Sequence, residues 1–93
     1  IRDRNINVEV MIFTKESPEQ IVNCIVNEFH RDATWWEAKG GYTEGGTYMV
    51  LTILSKYECE HLRPKLKRID KHAFIVVKEG MHIAGKYEKH LQG

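Results

Sequence analysis

Cysteine and proline are scarce, with two of each in 93 residues. Cys24 and Cys59 stand far apart in segments of helical periodicity, and no C-x-x-C pair exists. That spacing excludes a paired-thiol zinc site and a dithiol redox motif. Two buried thiols in a reducing compartment are the expectation. Long hydrophobic runs are missing too: nothing approaches the roughly 20 apolar residues that a membrane-spanning helix needs, and no signal peptide is visible. An excess of one charge is absent, with 14 Lys and Arg against 13 Asp and Glu, interspersed, for a net charge of +1. Bulk electrostatics therefore gives no reason to expect a nucleic-acid partner. The histidines His30, His61, His72, His82 and His90 form no H-x-x-x-H or H-E-x-x-H pair on a predicted helix, so no metal and no cofactor is expected. No Ser-His or Cys-His arrangement can be read from spacing, and the chain is not read as an enzyme.

What is present is regular. Asn7 to Thr14 alternates, with Val8, Val10 and Ile12 on one side and Met11 and Phe13 on the other; apolar residues on both faces predict a central strand. Ser17, Pro18 and Gln20 read as an N-cap, a first helical position and a capping box. Ile21, Val22, Ile25, Val26 and Phe29 then form an apolar stripe, predicting a helix from Pro18 to His30. Thr34 to Ala38 reads as a second strand, and Thr47 to Ser55 as a third, with Tyr48, Val50, Thr52 and Leu54 opposite Met49, Leu51 and Ile53. Ser55 to Glu58 is a second capping box. Cys59, Leu62, Leu66 and Ile69 carry a second helix from Lys56 to Ile69, in which Pro64 forces either a kink or a separate first turn. Glu58, Glu60 and His61 fall on what should be its solvated side. Asp70 to His72 is a turn, and Ala73 to Lys78 a fourth strand.

The order β-α-β-β-α-β over residues 1–93 predicts one α+β domain of ferredoxin-like topology, a four-stranded antiparallel sheet with both helices on one face. From Glu79 to Gly93 two readings stay open: a further short strand around Met81, Ile83 and Tyr87, or a docked tail.

Between strands two and three lies Lys39-Gly40-Gly41-Tyr42-Thr43-Glu44-Gly45-Gly46. A two-residue turn would close the hairpin, so a longer glycine-rich loop with a polar tip is either a loose turn or a binding loop. It lacks the G-x-x-x-x-G-K-[ST] phosphate pattern. As a ligand-binding loop, Gly40, Gly41 and Gly45 would let backbone N–H groups approach an anion. Lys39 would supply charge, Tyr42 a stacking face and Thr43 a hydroxyl. Trp35 and Trp36, adjacent on a strand, must face opposite ways. One is expected in the core under the helices and the other on the open face of the sheet. An open apolar face predicts self-association there or through the sheet edges, giving a homo-oligomer.

Several segments together resemble the C-terminal domain of the YitT family of bacterial membrane proteins. They are Pro18-Glu19-Gln20-Ile21, Ala33-Thr34, the loop Lys39-Gly40-Gly41-Tyr42-Thr43, and the run Asp70-Lys71-His72-Ala73-Phe74-Ile75-Val76. The resemblance implies a ferredoxin-like domain similar to the PII signalling proteins, in which loops after strand two and clefts between subunits bind small effectors, often nucleotides. It also implies a membrane-embedded segment of the same protein N-terminal to this piece, which opens on Ile1 rather than Met, and a place on the cytoplasmic face of the bacterial membrane. The function it implies is a ligand-sensing regulatory domain with a small-molecule or nucleotide effector near the glycine loop; the alternative is an oligomerisation module with no ligand of its own.

Overall fold

In the computed structural model, residues 6–42 and 45–80 are described. The elements are β1 (Asn7–Thr14), α1 (Pro18–Phe29), β2 (Ala33–Lys39), β3 (Gly46–Ser55), α2 (Lys56–Ile69) and β4 (Phe74–Lys78). The sheet order is β2-β3-β1-β4 and every pair is antiparallel. This is the ferredoxin-like α+β fold that the order of elements predicts. The suggested extra strand or docked tail after Gly80 lies outside the described residues.

The period-two pattern of β1 becomes a clean division of faces. Val8, Val10, Ile12 and Thr14 are buried, opposite Leu54, Thr52, Val50 and Tyr48 of β3. Ile21 and Ile25 from α1 and Leu62 and Leu66 from α2 close over this face. Burying each of these Leu, Ile or Val side chains contributes about 1.5–3 kcal/mol. The other face carries Met11, Phe13, Met49, Leu51, Phe74 and Val76, with no helix over it among the described residues. Phe74 and Val76 there are 56% and 47% exposed.

Ser55 caps α2 as its pattern predicts: its hydroxyl accepts from Glu58 N, and Glu58 reaches back to Ser55 N. α2 runs from Lys56 to Ile69 through Pro64 as one helix, forgoing the bond that a residue with an N–H would make to the Glu60 carbonyl. α1 departs from expectation. Ser17 makes no side-chain cap, because its backbone (φ −130°, ψ 46°) is not extended. Just before the helix, Thr14 Oγ1 accepts from Glu16 N and Ser17 N. At the far end His30 adopts the left-handed conformation, φ 57°, and its N–H and that of Arg31 both point to the Ile25 carbonyl.

That turn sends Arg31 inward. Its guanidinium meets Glu58 Oε1 at 3.0–3.1 Å, with both side chains only 10% exposed. The expectation that Glu58 is solvated is therefore wrong. Helical spacing places a residue on a face, but the partner that makes burial of this carboxylate tolerable arrives from a different element. The tryptophans also differ from expectation. They face opposite ways, but neither enters the core: Trp35 is 38% and Trp36 39% exposed. β2 is an edge strand, and the core lies over β1 and β3. Trp35 instead meets Tyr48 edge-on, ring centroids 5.7 Å apart.

Candidate functional site

The end of the sheet where β1 finishes gathers three connections: the turn into α1, the glycine loop, and the Asp70–His72 turn. Here a cavity of about 340 Å³ opens on the helix-free face. β1 contributes Phe13 and Thr14, followed by Lys15. The β2–β3 hairpin contributes Ala38, Lys39, Gly40, Gly45, Thr47 and Met49. The turn into β4 contributes His72, and β4 itself Phe74. The walls are apolar in the middle. Phe13 and Phe74 are register partners and stack at 4.4 Å with a 12° interplanar angle, and Met49 pairs with Phe13 on its other side. Among the described residues, Lys15, Lys39 and His72 line the cavity and no acidic residue does.

A hydrogen-bonded chain fixes these walls. Thr47 Oγ1 donates to the Thr14 carbonyl at 3.2 Å, and Thr14 Oγ1 donates to Asp70 Oδ2. Asp70 Oδ1 accepts from His72 N at 2.9 Å, and the Asp70 carbonyl accepts from Ala73 N. The Thr14 hydroxyl, with smaller contributions from the His72 and Ala73 amides and the His72 ring, holds the Asp70 carboxyl below the usual carboxylate range. An ionised Asp70 is thus tied to β1 while it sets the turn that presents His72 and Phe74.

Of the loop residues singled out from sequence, Lys39, Gly40 and Gly45 line the cavity. Gly45 has φ +83°, a conformation that favours glycine. Gly41 neither has a positive φ nor meets a protein atom within 4 Å of an added Cβ, so the fold itself does not require glycine there. Tyr42 is fully exposed and outside the cavity. Thr43 lies outside the described residues. Sequence reasoning missed Phe13, Lys15, Thr47, Met49, His72 and Phe74 as site residues. The signal was available in part, since Asp70 to Val76 stood out as a motif without any chemistry attached to it.

A second depression, about 440 Å³, runs between the helices along Gln20, Asn23, Cys24, Asn27, Glu28, Lys65, Arg68 and Ile69. Two of its charges are already paired, Lys65 Nζ to Glu28 Oε1 at 2.7 Å. Burial and the adjacent Glu28 push the Cys24 thiol up, so it is not an activated nucleophile. Cys59, buried as well, is raised by burial. Among the described residues no three His, Cys, Asp or Glu side chains are grouped to hold a metal ion, and no helix is long and apolar enough to cross a membrane.

The fold and cavity define a small ferredoxin-like domain with a ligand-sized depression at the root of its β2–β3 loop. Residues 31–85 match the sequence profile of a family described as "Uncharacterized protein conserved in bacteria (DUF2179)", and the chain belongs to that family. Among similar proteins, "UPF0750 membrane protein YitT" of Bacillus subtilis (strain 168) is 29% identical over 89 residues, covering 96% of this chain and 31% of that protein. "Uncharacterized protein in cccA 5'region" of Bacillus sp. (strain PS3) is 29% identical over 76 residues, 82% of this chain and 50% of that protein. "UPF0750 membrane protein YvjA" of Bacillus subtilis is 25% identical over 76 residues, 82% of this chain and 27% of that protein. The chain therefore spans between about a quarter and a half of the length of these relatives. A crystal structure of an uncharacterized DUF2179 protein from Eubacterium ventriosum superposes with a TM-score of 0.62 at 21% identity, covering 76% of this chain and 97% of that one. It shares the fold.

Proposed function

We propose that this chain is a non-catalytic regulatory domain of a bacterial multi-pass membrane protein, lying on its cytoplasmic face and sensing a small anionic effector, such as a nucleotide, at the root of the glycine loop. One observation carries the reading. The loop and the Asp70–Phe74 run, some 30 residues apart, converge on one cavity with a stacked aromatic wall, Lys15, Lys39 and His72 at hand, and no lining carboxylate among the described residues. Its volume falls in the usual range for small-molecule sites. The membrane attachment rests on YitT and YvjA, both named as membrane proteins.

A thermal-shift screen of the 93-residue chain against nucleotides and simple anions tests this. At ten times its Kd, a ligand binding only the folded state adds about 1.4 kcal/mol, a rise in Tm of roughly 5–10 °C for a domain of this size. Lys15→Ala with Lys39→Ala should abolish the shift, whereas Tyr42→Ala should leave it. An empty screen at millimolar ligand, or a shift that the double variant retains, rejects the site. The second reading, an assembly module without a ligand, is favoured by one feature: the helix-free face leaves Phe74, Val76 and Trp36 exposed together. Sedimentation over a concentration series tests it, and a monomer throughout would defeat it.

A further inference from the structure

The two edges of the sheet are built differently. β4 is five residues long, ends on Lys78, and is flanked by Arg63 and Lys67 of α2, which share a groove with Ala73, Phe74 and Ile75. Short length and long cations are how natural sheets keep an edge from pairing with another chain. β2 is longer, and its only charges, Glu37 and Lys39, stand towards its end. Its seven residues hold unbroken register with β3, without bulge or proline, and its first four carry no charge. Among the described residues nothing pairs with its outer edge. Both tryptophans of the protein stand on this strand, one on each face, and each is more than a third exposed.

We propose that β2 is a self-pairing edge: two copies of this chain join β2 to β2 antiparallel about a two-fold axis through Trp36, continuing the sheet. This deepens the assembly reading above and rests on it. The occupant is a second copy because the strand is complementary to itself. Residues on one face of the sheet must meet residues of the same face, so the dyad falls on a residue rather than between two. Centring it on Trp36 pairs all seven residues. Trp36 then meets Trp36 of the other copy, Trp35 meets Glu37, Thr34 meets Ala38, and Ala33 meets Lys39. No like charges stand directly opposite. The two Trp35 rings become diagonal neighbours on the helix side, within reach of aromatic side chains. An isologous contact of this kind closes as a dimer and leaves no free β2 edge.

The test uses the 93-residue chain with analytical ultracentrifugation and tryptophan fluorescence over micromolar to submillimolar concentrations. Association should shift the emission, since both tryptophans sit at the contact. Trp36→Glu and Trp36→Lys should each weaken dimerisation by about tenfold or more, and mixing the two should restore it as a heterodimer, because residue 36 faces its own counterpart. If either variant fails to fold by circular dichroism, Trp36→Cys replaces it. That thiol should link two copies through a short bifunctional reagent while buried Cys24 and Cys59 do not. Association that survives Trp36→Glu but is lost in Val76→Glu places the interface on the open face, overturning this proposal and sparing the assembly reading. A wild-type chain that stays monomeric overturns both. Two monomeric charge variants that do not recombine, or Trp36→Cys chains that do not cross-link, overturn the two-fold placement.

Discussion

Replacing Glu58 by alanine should come close to unfolding the domain. Glu58 Oε1 lies 3.1 Å from Arg31 Nε, 3.0 Å from Arg31 Nη2 and 2.9 Å from Ser55 N. Both side chains are one-tenth exposed, so water screens the pair little. Glu58→Ala takes the carboxylate at 3.0–3.1 Å away from a buried guanidinium and removes half of the α2 capping box. Stranding one partner of a buried pair costs about 3–5 kcal/mol, against a total stability of about 5–15 kcal/mol for a domain. Glu58→Gln keeps an oxygen for both donors and gives up the charge, so about 1–2 kcal/mol is expected. The double variant Arg31→Met, Glu58→Met should cost less than Glu58→Ala alone, because no uncompensated charge remains. Urea unfolding at neutral pH reads these differences as shifts in midpoint at constant slope. A cost below about 1 kcal/mol for Glu58→Ala would refute the reasoning, since that is the range of exposed ion pairs. A double variant as unstable as the sum of its parts would refute the coupling.

Two further outcomes are expected. The folded-state pKa of Asp70 lies below the ordinary 3.8, so its contribution is fully present above that value and is lost as pH falls through the lower folded-state pKa. Glu28, lowered first by its bond to Lys65, acts in the same direction but is solvent-exposed. Urea midpoints of wild type and Asp70→Asn should therefore differ at pH 6 and converge towards pH 2, and a gap that widens on acidification would contradict the Thr14–Asp70 link. In the loop, Gly45→Ala forces a side chain to φ +83° and should lower stability by about 1–2 kcal/mol. Gly41→Ala meets no atom and should be neutral or stabilising by up to about 1 kcal/mol; equal melting temperatures for the two variants would contradict the loop geometry.

The sequence makes the secondary structure legible wherever a local pattern decides the outcome. Alternation in β1 and the Ser55–Glu58 box of α2 are interactions between near neighbours, and both stand as read. Ser17 shows the limit of such signals. Its capping pattern is present in the sequence, but its hydroxyl makes no cap bond, while Thr14, three residues earlier, accepts from Ser17 N and ties this connection to Asp70, 56 residues on. The tryptophans are a case of correct geometry with incomplete context. Pleating decides that they face apart, whereas burial depends on where β2 falls in the sheet, and strand order is a property of the whole chain.

The candidate site divides along the same line. Lys39, Gly40 and Gly45 could be named because a glycine-rich loop marks itself. Phe13, Lys15, His72 and Phe74 could not, because they become a site only through the pairing of β1 with β4. Once the order β2-β3-β1-β4 is accepted, that pairing is forced: β4 can reach only the free side of β1, and antiparallel register sets Phe74 beside Phe13. The turn ending at His72 is then delivered to the same end of the sheet as the β2–β3 loop, whatever side chains it carries. Topology brings the two segments together, and the Thr47–Thr14–Asp70 chain of hydrogen bonds fixes how closely they approach. The cavity is therefore a property of the β1 end of the sheet, and the loop supplies one wall of it.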